Sequence, residues 1–178
     1  MAFSKIDTNG LALDSVDNTI LDLGSAFNFT GTLQQNGAAI GGNNTPNFWI
    51  YKSANFSVST GTATKVAFDA SVIDTGTGLG SNKWTVPSGG AGTYFVSFKY
   101  IYSGTWGARI IAYVYKNGSS FMGMQADKER VDGGVHVNGI VALSEGDYLE
   151  GEVYQDSGST RDVVGGQLWC AMYGFKLL

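Results

Sequence analysis

The chain has 178 residues, 43% of them hydrophobic and 13% aromatic, with 26 glycines, two prolines, one cysteine, one histidine and a formal net charge of −4. That length holds one well-buried domain and a tail rather than two domains, and abundant glycine without a G-X-Y period points to tight turns between short strands, not to helices. The acidic balance, with basic residues scattered and only Lys128 and Arg130 close together, excludes a phosphate-binding role, so nucleic acid is not expected as a partner.

The first residues, Met1-Ala-Phe-Ser-Lys5, show no apolar run followed by a small-residue cleavage site, so no signal peptide is expected. No segment reaches the roughly 18 apolar residues that would cross a bilayer, and no membrane partner is expected. Residues 1–46 consist of short β-prone pieces, among them Phe27-Asn-Phe-Thr-Gly-Thr-Leu33, separated by Asn-Gly and Gly-Ser and without a tryptophan. Asn36-Gly37 predicts a two-residue hairpin joining 27–35 to 38–40. The breaker cluster Gly41-Gly-Asn-Asn-Thr-Pro46 marks the boundary with the body. With so little core of its own, the arm is expected to order by adding strands to a neighbouring protein, with Phe27, Phe29 and Leu33 as partner-contact candidates.

The body, 47–178, reads as about ten strands with turn signals between them: 48–52, 55–60, 64–68, 83–86, 93–102, 108–116, 120–125, 134–143, 147–155 and 167–177. The clearest is 93–102. There Tyr94, Val96, Phe98 and Tyr100 share one face, Thr93, Ser97 and Lys99 the other, and Phe95 breaks the alternation by being apolar on the polar side. Ala126–Val131 offers the best helical stretch, a single turn. An all-β sandwich with an extended N-terminal β arm is the expected fold class.

Residues that carry chemistry are few. Cys170, in Leu168-Trp-Cys-Ala-Met-Tyr173, reads as a small buried hydrophobe rather than a nucleophile. His136 lies in an alternating strand opposite in facing to Val135 and Val137, which suits a surface or subunit contact better than a catalytic base. One histidine and one cysteine cannot supply a zinc site within a subunit. Asp127, Glu129, Asp132, Asp156 and Asp162 are expected in loops without calcium-loop spacing, and Glu150 and Glu152 on a solvent face. Gly76-Thr-Gly78-Leu-Gly80 lacks the following helix that a dinucleotide loop requires. Catalytic, cofactor and metal sites are therefore all expected to be absent. Tyr94, Phe98, Tyr100, Tyr113, Trp169, Tyr173 and Phe175 are candidates for core or subunit-interface positions. Trp106, at an expected loop tip in Ser103-Gly-Thr-Trp-Gly107, is a partner-contact candidate.

Four motifs in order carry a family resemblance. Trp84 and Pro87 precede Gly92-x-Tyr94-x-Val96-x-Phe98, with Val96 where the family usually has Phe. Lys116-Asn117-Gly118 follows as a hairpin turn. Val137-Asn-Gly-Ile-Val-Ala-Leu143 with Glu145-Gly146-Asp147 follows that, and Tyr173-Gly174-Phe175-Lys-Leu-Leu178 closes the chain, with Met172 or Tyr173 where the family usually has Phe. Over about 130 residues the body thus resembles the complement globular head and the tumour-necrosis-factor-like jelly roll. The resemblance implies a homotrimer without enzymatic activity. The family's metal-binding residues have no positional counterparts here.

Separately, Phe29-Thr-Gly-Thr-Leu-Gln-Gln-Asn-Gly-Ala-Ala-Ile-Gly-Gly and the opening Met-Ala-Phe-Ser-Lys-Ile resemble segments of tailed-phage structural proteins. This implies a virion protein whose arm grips the major capsid protein or another virion protein, as a capsid-surface decoration (cement). The alternative is a tail-fibre or tail-tip protein that binds a host surface receptor.

Overall fold

The structure is a computed structural model and describes residues 34–35, 38–39, 44–106, 109–127, 130–131 and 133–177. The chain divides into two compact units, Met1–Gly41 and Gly42–Leu178. In the first, Gln34–Gln35 pairs antiparallel with Ala38–Ala39; the turn expected at Asn36-Gly37 lies outside the described residues. Phe27, Phe29 and Leu33 lie outside the described residues.

The second unit is built of strands, and no helix occurs among the described residues. In chain order they are β1 (Asn47–Tyr51), β2 (Phe56–Val58), β3 (Thr64–Lys65), β4 (Ala70–Asp74), β5 (Leu79–Gly80), β6 (Lys83–Thr85) and β7 (Gly92–Ile101). They continue as β8 (Arg109–Lys116), β9 (Ser119–Asp127), β10 (Gly134–Leu143), β11 (Tyr148–Gln155), β12 (Arg161–Val163) and β13 (Ala171–Lys176). The front sheet has the order β10-β7-β13-β1-β4, and the back sheet runs β9-β8-β11-β6-β5 with β3 added to β11. All pairings are antiparallel, and neighbours in a sheet are mostly distant in sequence, as in a jelly roll.

The core lies between the sheets and follows from period two. Phe48 and Ile50 of β1, Tyr94, Val96, Phe98 and Tyr100 of β7, and Val135, Val137, Val141 and Leu143 of β10 point inward from the front sheet. Ile110, Ala112 and Val114 of β8 and Leu149 and Val153 of β11 meet them from the back. Trp84 anchors one end of this core. It is fully buried, and Asp74 accepts hydrogen bonds from its indole N–H (3.2 Å) and from the Gly78 and Leu79 amides (2.9 Å each). The glycine-rich loop is therefore a wrap around an indole: a β-carbon at Gly78 would collide with the Trp84 ring.

Several expectations are corrected. Ala126 to Val131 is not a helical turn: β9 runs through Asp127, and Arg130–Val131 pairs with Thr105–Trp106. That pairing also removes Trp106 from a loop tip, since its backbone lies in a two-residue strand opposite Arg130. Asp127 and Asp162 lie in strands rather than loops. The last strand begins at Ala171, because Gly166 to Cys170 form a turn closed by the Cys170 amide on the Gly166 carbonyl. β4 has no counterpart among the expected strands. Its Ser71, Val72 and Ile73 are all exposed, as befits a sheet edge, and the sequence carries no alternation there.

Candidate assembly face

The outward side of the front sheet is where the unusual chemistry collects. Because Phe48 and Ile50 face inward, Asn47, Trp49 and Tyr51 must face outward; the same reasoning puts Phe95, Ser97 and Lys99, then His136, Asn138 and Ile140, then Ala171, Tyr173 and Phe175 on this face. Strand register arranges them in rows. One row runs Asn47–Phe175–Phe95–Ile140, and the next Ile73–Trp49–Tyr173–Ser97–Asn138. A third runs Tyr51–Ala171–Lys99–His136. Phe95 and Phe175 have ring centroids 5.5 Å apart, and Trp49 and Tyr173 6.2 Å apart.

Ile140 is 63% exposed and Phe175 37% exposed, so this face presents large apolar groups to water instead of the polar residues that normally cover a sheet's solvent side. On its β1 side, Asn47, Trp49, Ile73, Tyr173 and Phe175 help line a groove of about 300 Å³. The Trp49 indole N–H is buried there without a hydrogen-bond partner. A buried donor without an acceptor costs stability, on the order of 1–3 kcal/mol, unless another molecule supplies one.

At the centre of the face stand the side chains that most resemble a catalytic group. Ser97 Oγ and His136 Nε2 are hydrogen-bond partners, and Tyr173 Oη lies 3.3 Å from the same nitrogen. A Ser–His pair can activate a hydroxyl when a third group orients the imidazole and the hydroxyl is open to substrate. Here Ser97 has no exposed surface and sits in mid-strand, and the third neighbour is a phenol. The cluster ties three strands together across the face.

The expected site residues separate into groups. Tyr94, Phe98 and Tyr100 are core: the Tyr100 hydroxyl donates to the Ile111 carbonyl (3.2 Å), and burial, first among several causes, pushes its phenol well above the usual tyrosine range. Tyr173 and Phe175 lie on the outward face. Trp169 is exposed in the turn before β13. Tyr113 is on the outward side of the back sheet beside Tyr115, with centroids 6.2 Å apart. Glu152, opposite Tyr113 in register, is 7% exposed and not on an open solvent face. Neighbouring side chains cover it, and Tyr115 shares a hydrogen bond with it. Cys170 is fully buried, and burial pushes its thiol up to about 12. Trp49, Ser97 and Ile140 were not among the expected site residues, although alternation with their inward neighbours already assigns them to one face.

Among the described residues no group of three His, Cys, Asp or Glu side chains is placed to hold a metal ion, and no helix is long and apolar enough to cross a membrane.

No protein-family model matches the chain, and no curated protein matches it in sequence. Solved structures do share its fold. The Eiger TNF of S. frugiperda superposes with a TM-score of 0.57 at 12% identity, over 74% of this chain and 92% of that one. Murine APRIL at pH 5.0 gives 0.55 at 14% identity, over 74% and 99%. The globular domain of the zebrafish complement 1qA protein gives 0.49 at 14% identity, over 75% and 98%. The body is thus a tumour-necrosis-factor-like jelly roll, and at these identities the likeness concerns the fold alone.

Proposed function

We propose that this chain is a non-enzymatic structural protein that assembles into a homotrimer through the outward face of the front sheet. The exposed aromatic and aliphatic rows, with the unpartnered Trp49 N–H among them, carry this reading. A face of that composition gains by losing water against another protein surface. Its two sides are complementary. Ile140 projects from the edge strand β10, while the groove beside Trp49 and Ile73 lies toward the opposite edge. A knob and a hole on different parts of one surface favour a head-to-tail contact, which closes into a ring. The jelly-roll likeness and the family motifs agree with a ring of three.

The trimer, in this reading, decorates the surface of a virion, with residues 1–46 gripping the major capsid protein or a neighbouring virion protein. The resemblance of the N-terminal segment to tailed-phage structural proteins supports this part. Sedimentation of the purified chain tests the assembly: three subunits are expected, and Ile140→Asp should give a folded monomer. A wild-type monomer, or an Ile140→Asp trimer, refutes the interface. Gold-tagged antibody on virions tests the location. Label in many copies over the head is expected. Label confined to the tail tip transfers the function to host recognition, and absence of label removes the virion setting.

A further inference from the structure

We propose that the outer surface of the back sheet holds a binding site for an uncharged sugar, seated where that sheet forks along β11. This surface belongs to the layer opposite the assembly face, so the site stands whether or not the chain forms a trimer.

β11 has two partners on one flank. β6 pairs with it at Tyr148 and Leu149, and β3 at Glu152 and Val153. At the fork, beside Glu150, the sheet opens into a notch of about 210 Å³ lined by Lys65, Val66, Ala67, Ser81, Asn82 and Glu150. Sites for drug-sized ligands start at roughly 300 Å³, so this one holds a single small ring.

Charge decides the class of ligand. Lys65 Nζ lies 3.0 and 3.1 Å from the two carboxylate oxygens of Glu150. A cation entering the notch meets Lys65 and an anion meets Glu150, so neither sign is favoured. An apolar side chain would strip water from both charges and return nothing, which is costly. A hydroxyl suits the pair, because it can donate to the carboxylate while accepting from the ammonium group. On the facing wall Ser81 and Asn82 are exposed, which leaves a second hydroxyl and an amide open to the ligand. Both sit in the two-residue turn between β5 and β6, at φ 50° and 65°. That conformation costs a serine energy that glycine is spared, and residues held in this way gather at ligand clamps.

The rest of the surface asks for an apolar side on the same ligand. Buried Val66 and half-buried Ala67 add apolar lining to the notch. Beside it, Tyr115 stands opposite Glu150 in register and Tyr113 opposite Glu152. The Tyr113 ring lies over Gly123, where a β-carbon would come within 2.9 Å of it, so the ring spreads across two strands. A pyranose combines a C–H face that packs on an aromatic ring with hydroxyls round its edge that reach polar groups. The notch takes one such ring, and the tyrosines offer a platform for the next unit of a short chain.

The test is saturation-transfer NMR on the full chain with the neutral methyl glycosides of glucose, galactose, mannose and N-acetylglucosamine, and with anionic N-acetylneuraminic acid for comparison. At least one neutral glycoside should bind, and more tightly than the anionic sugar. Asn82→Gly keeps the left-handed turn and removes only the amide; it should weaken that binding about ten-fold, with an unchanged circular dichroism spectrum. Glu150→Gln leaves Lys65 without its counter-charge and should move preference toward N-acetylneuraminic acid. Absence of binding by all four neutral glycosides, equal binding of the anionic sugar, an unaltered affinity in Asn82→Gly, or an unaltered preference in Glu150→Gln each overturns the site. A chain that sediments as a monomer yet binds in the expected way supports the site and overturns the assembly alone.

Discussion

Phe48 lies against Trp84 with ring centroids 4.1 Å apart and planes 21° from parallel, and this one contact joins β1 of the front sheet to β6 of the back sheet. Tyr94 meets the indole edge-on, with ring centroids 5.7 Å apart. Trp84 is therefore shared by both layers. Replacing it with alanine should cost about 3–5 kcal/mol in a urea titration, the usual range for emptying a buried aromatic site. Trp84→Phe keeps an apolar ring but leaves Asp74 short of one donor, and should cost less than half as much. A Trp84→Ala loss below about 1 kcal/mol would show that the two sheets are held elsewhere.

Gly174 should tolerate no side chain. A β-carbon there would lie 2.6 Å from the Phe95 carbonyl oxygen and 2.9 Å from the Phe48 ring, and the first of these is backbone that cannot move aside. Gly174→Ala is expected to lower stability by about 1–3 kcal/mol, the range for overpacking. Thermal unfolding compared with Gly80→Ala, where nothing lies within 4 Å, separates crowding from a general intolerance of alanine.

These two sites also mark what the sequence makes legible. Tyr94, Val96, Phe98 and Tyr100 recur at every second position, so the strand and its buried face can be read directly despite Phe95, and the same rule assigns Trp49 and Ile140 to the outside. β4 escapes because an edge strand exposed along most of its length has no buried face to impose a period. Ala126 suggested a helical turn because local composition says nothing of a strand continuing from Phe121 under cross-strand pairing with β8. Glu152 was expected in water because burial of a carboxylate depends on neighbours from other strands. The pairing of Ser97 with His136 spans 39 residues, and no local pattern announces it.

Cys170 should be chemically silent in the folded chain. It has no exposed surface, and burial holds its thiol near 12, so the reactive thiolate is scarce at ordinary pH. A disulfide-exchange reagent at pH 8 should label none of it until denaturant is added, and then one thiol per chain. Rapid labelling of the native protein would contradict the buried assignment.

The turn at Asn117-Gly118 is held by Asp147, whose carboxyl lies at about 2. The Asn117 amide is the largest cause, followed by the Ser144 N–H and Lys116. A carboxyl held below its unfolded value near 3.9 stabilises the fold above that value and loses the contribution as pH falls toward 2. Asp147→Asn should therefore lower the melting temperature at pH 6 and converge with wild type near pH 2. Asn117 stands at φ 52°, so Asn117→Gly removes the side-chain bonds without straining the backbone, and Asn117→Ala adds strain to the same loss. Alanine should be the more damaging of the two in the same melts.

The Asn44 side-chain amide donates to the Lys176 carbonyl at 3.0 Å, and the Lys176 N–H to the Pro46 carbonyl at 3.1 Å. The chain thus enters the sandwich beside the place where it leaves, along two antiparallel neighbours, β1 and β13. Force drawn between residues 44 and 176 would peel these strands apart one rung at a time, beginning at Asn47 and Phe175. Force drawn on residue 44 alone, resisted from the far end of the sheets, must shear every rung of β1 at once. The body is built to hold against a tug on its leading segment, and it yields readily when its entrance and exit are pulled away from each other.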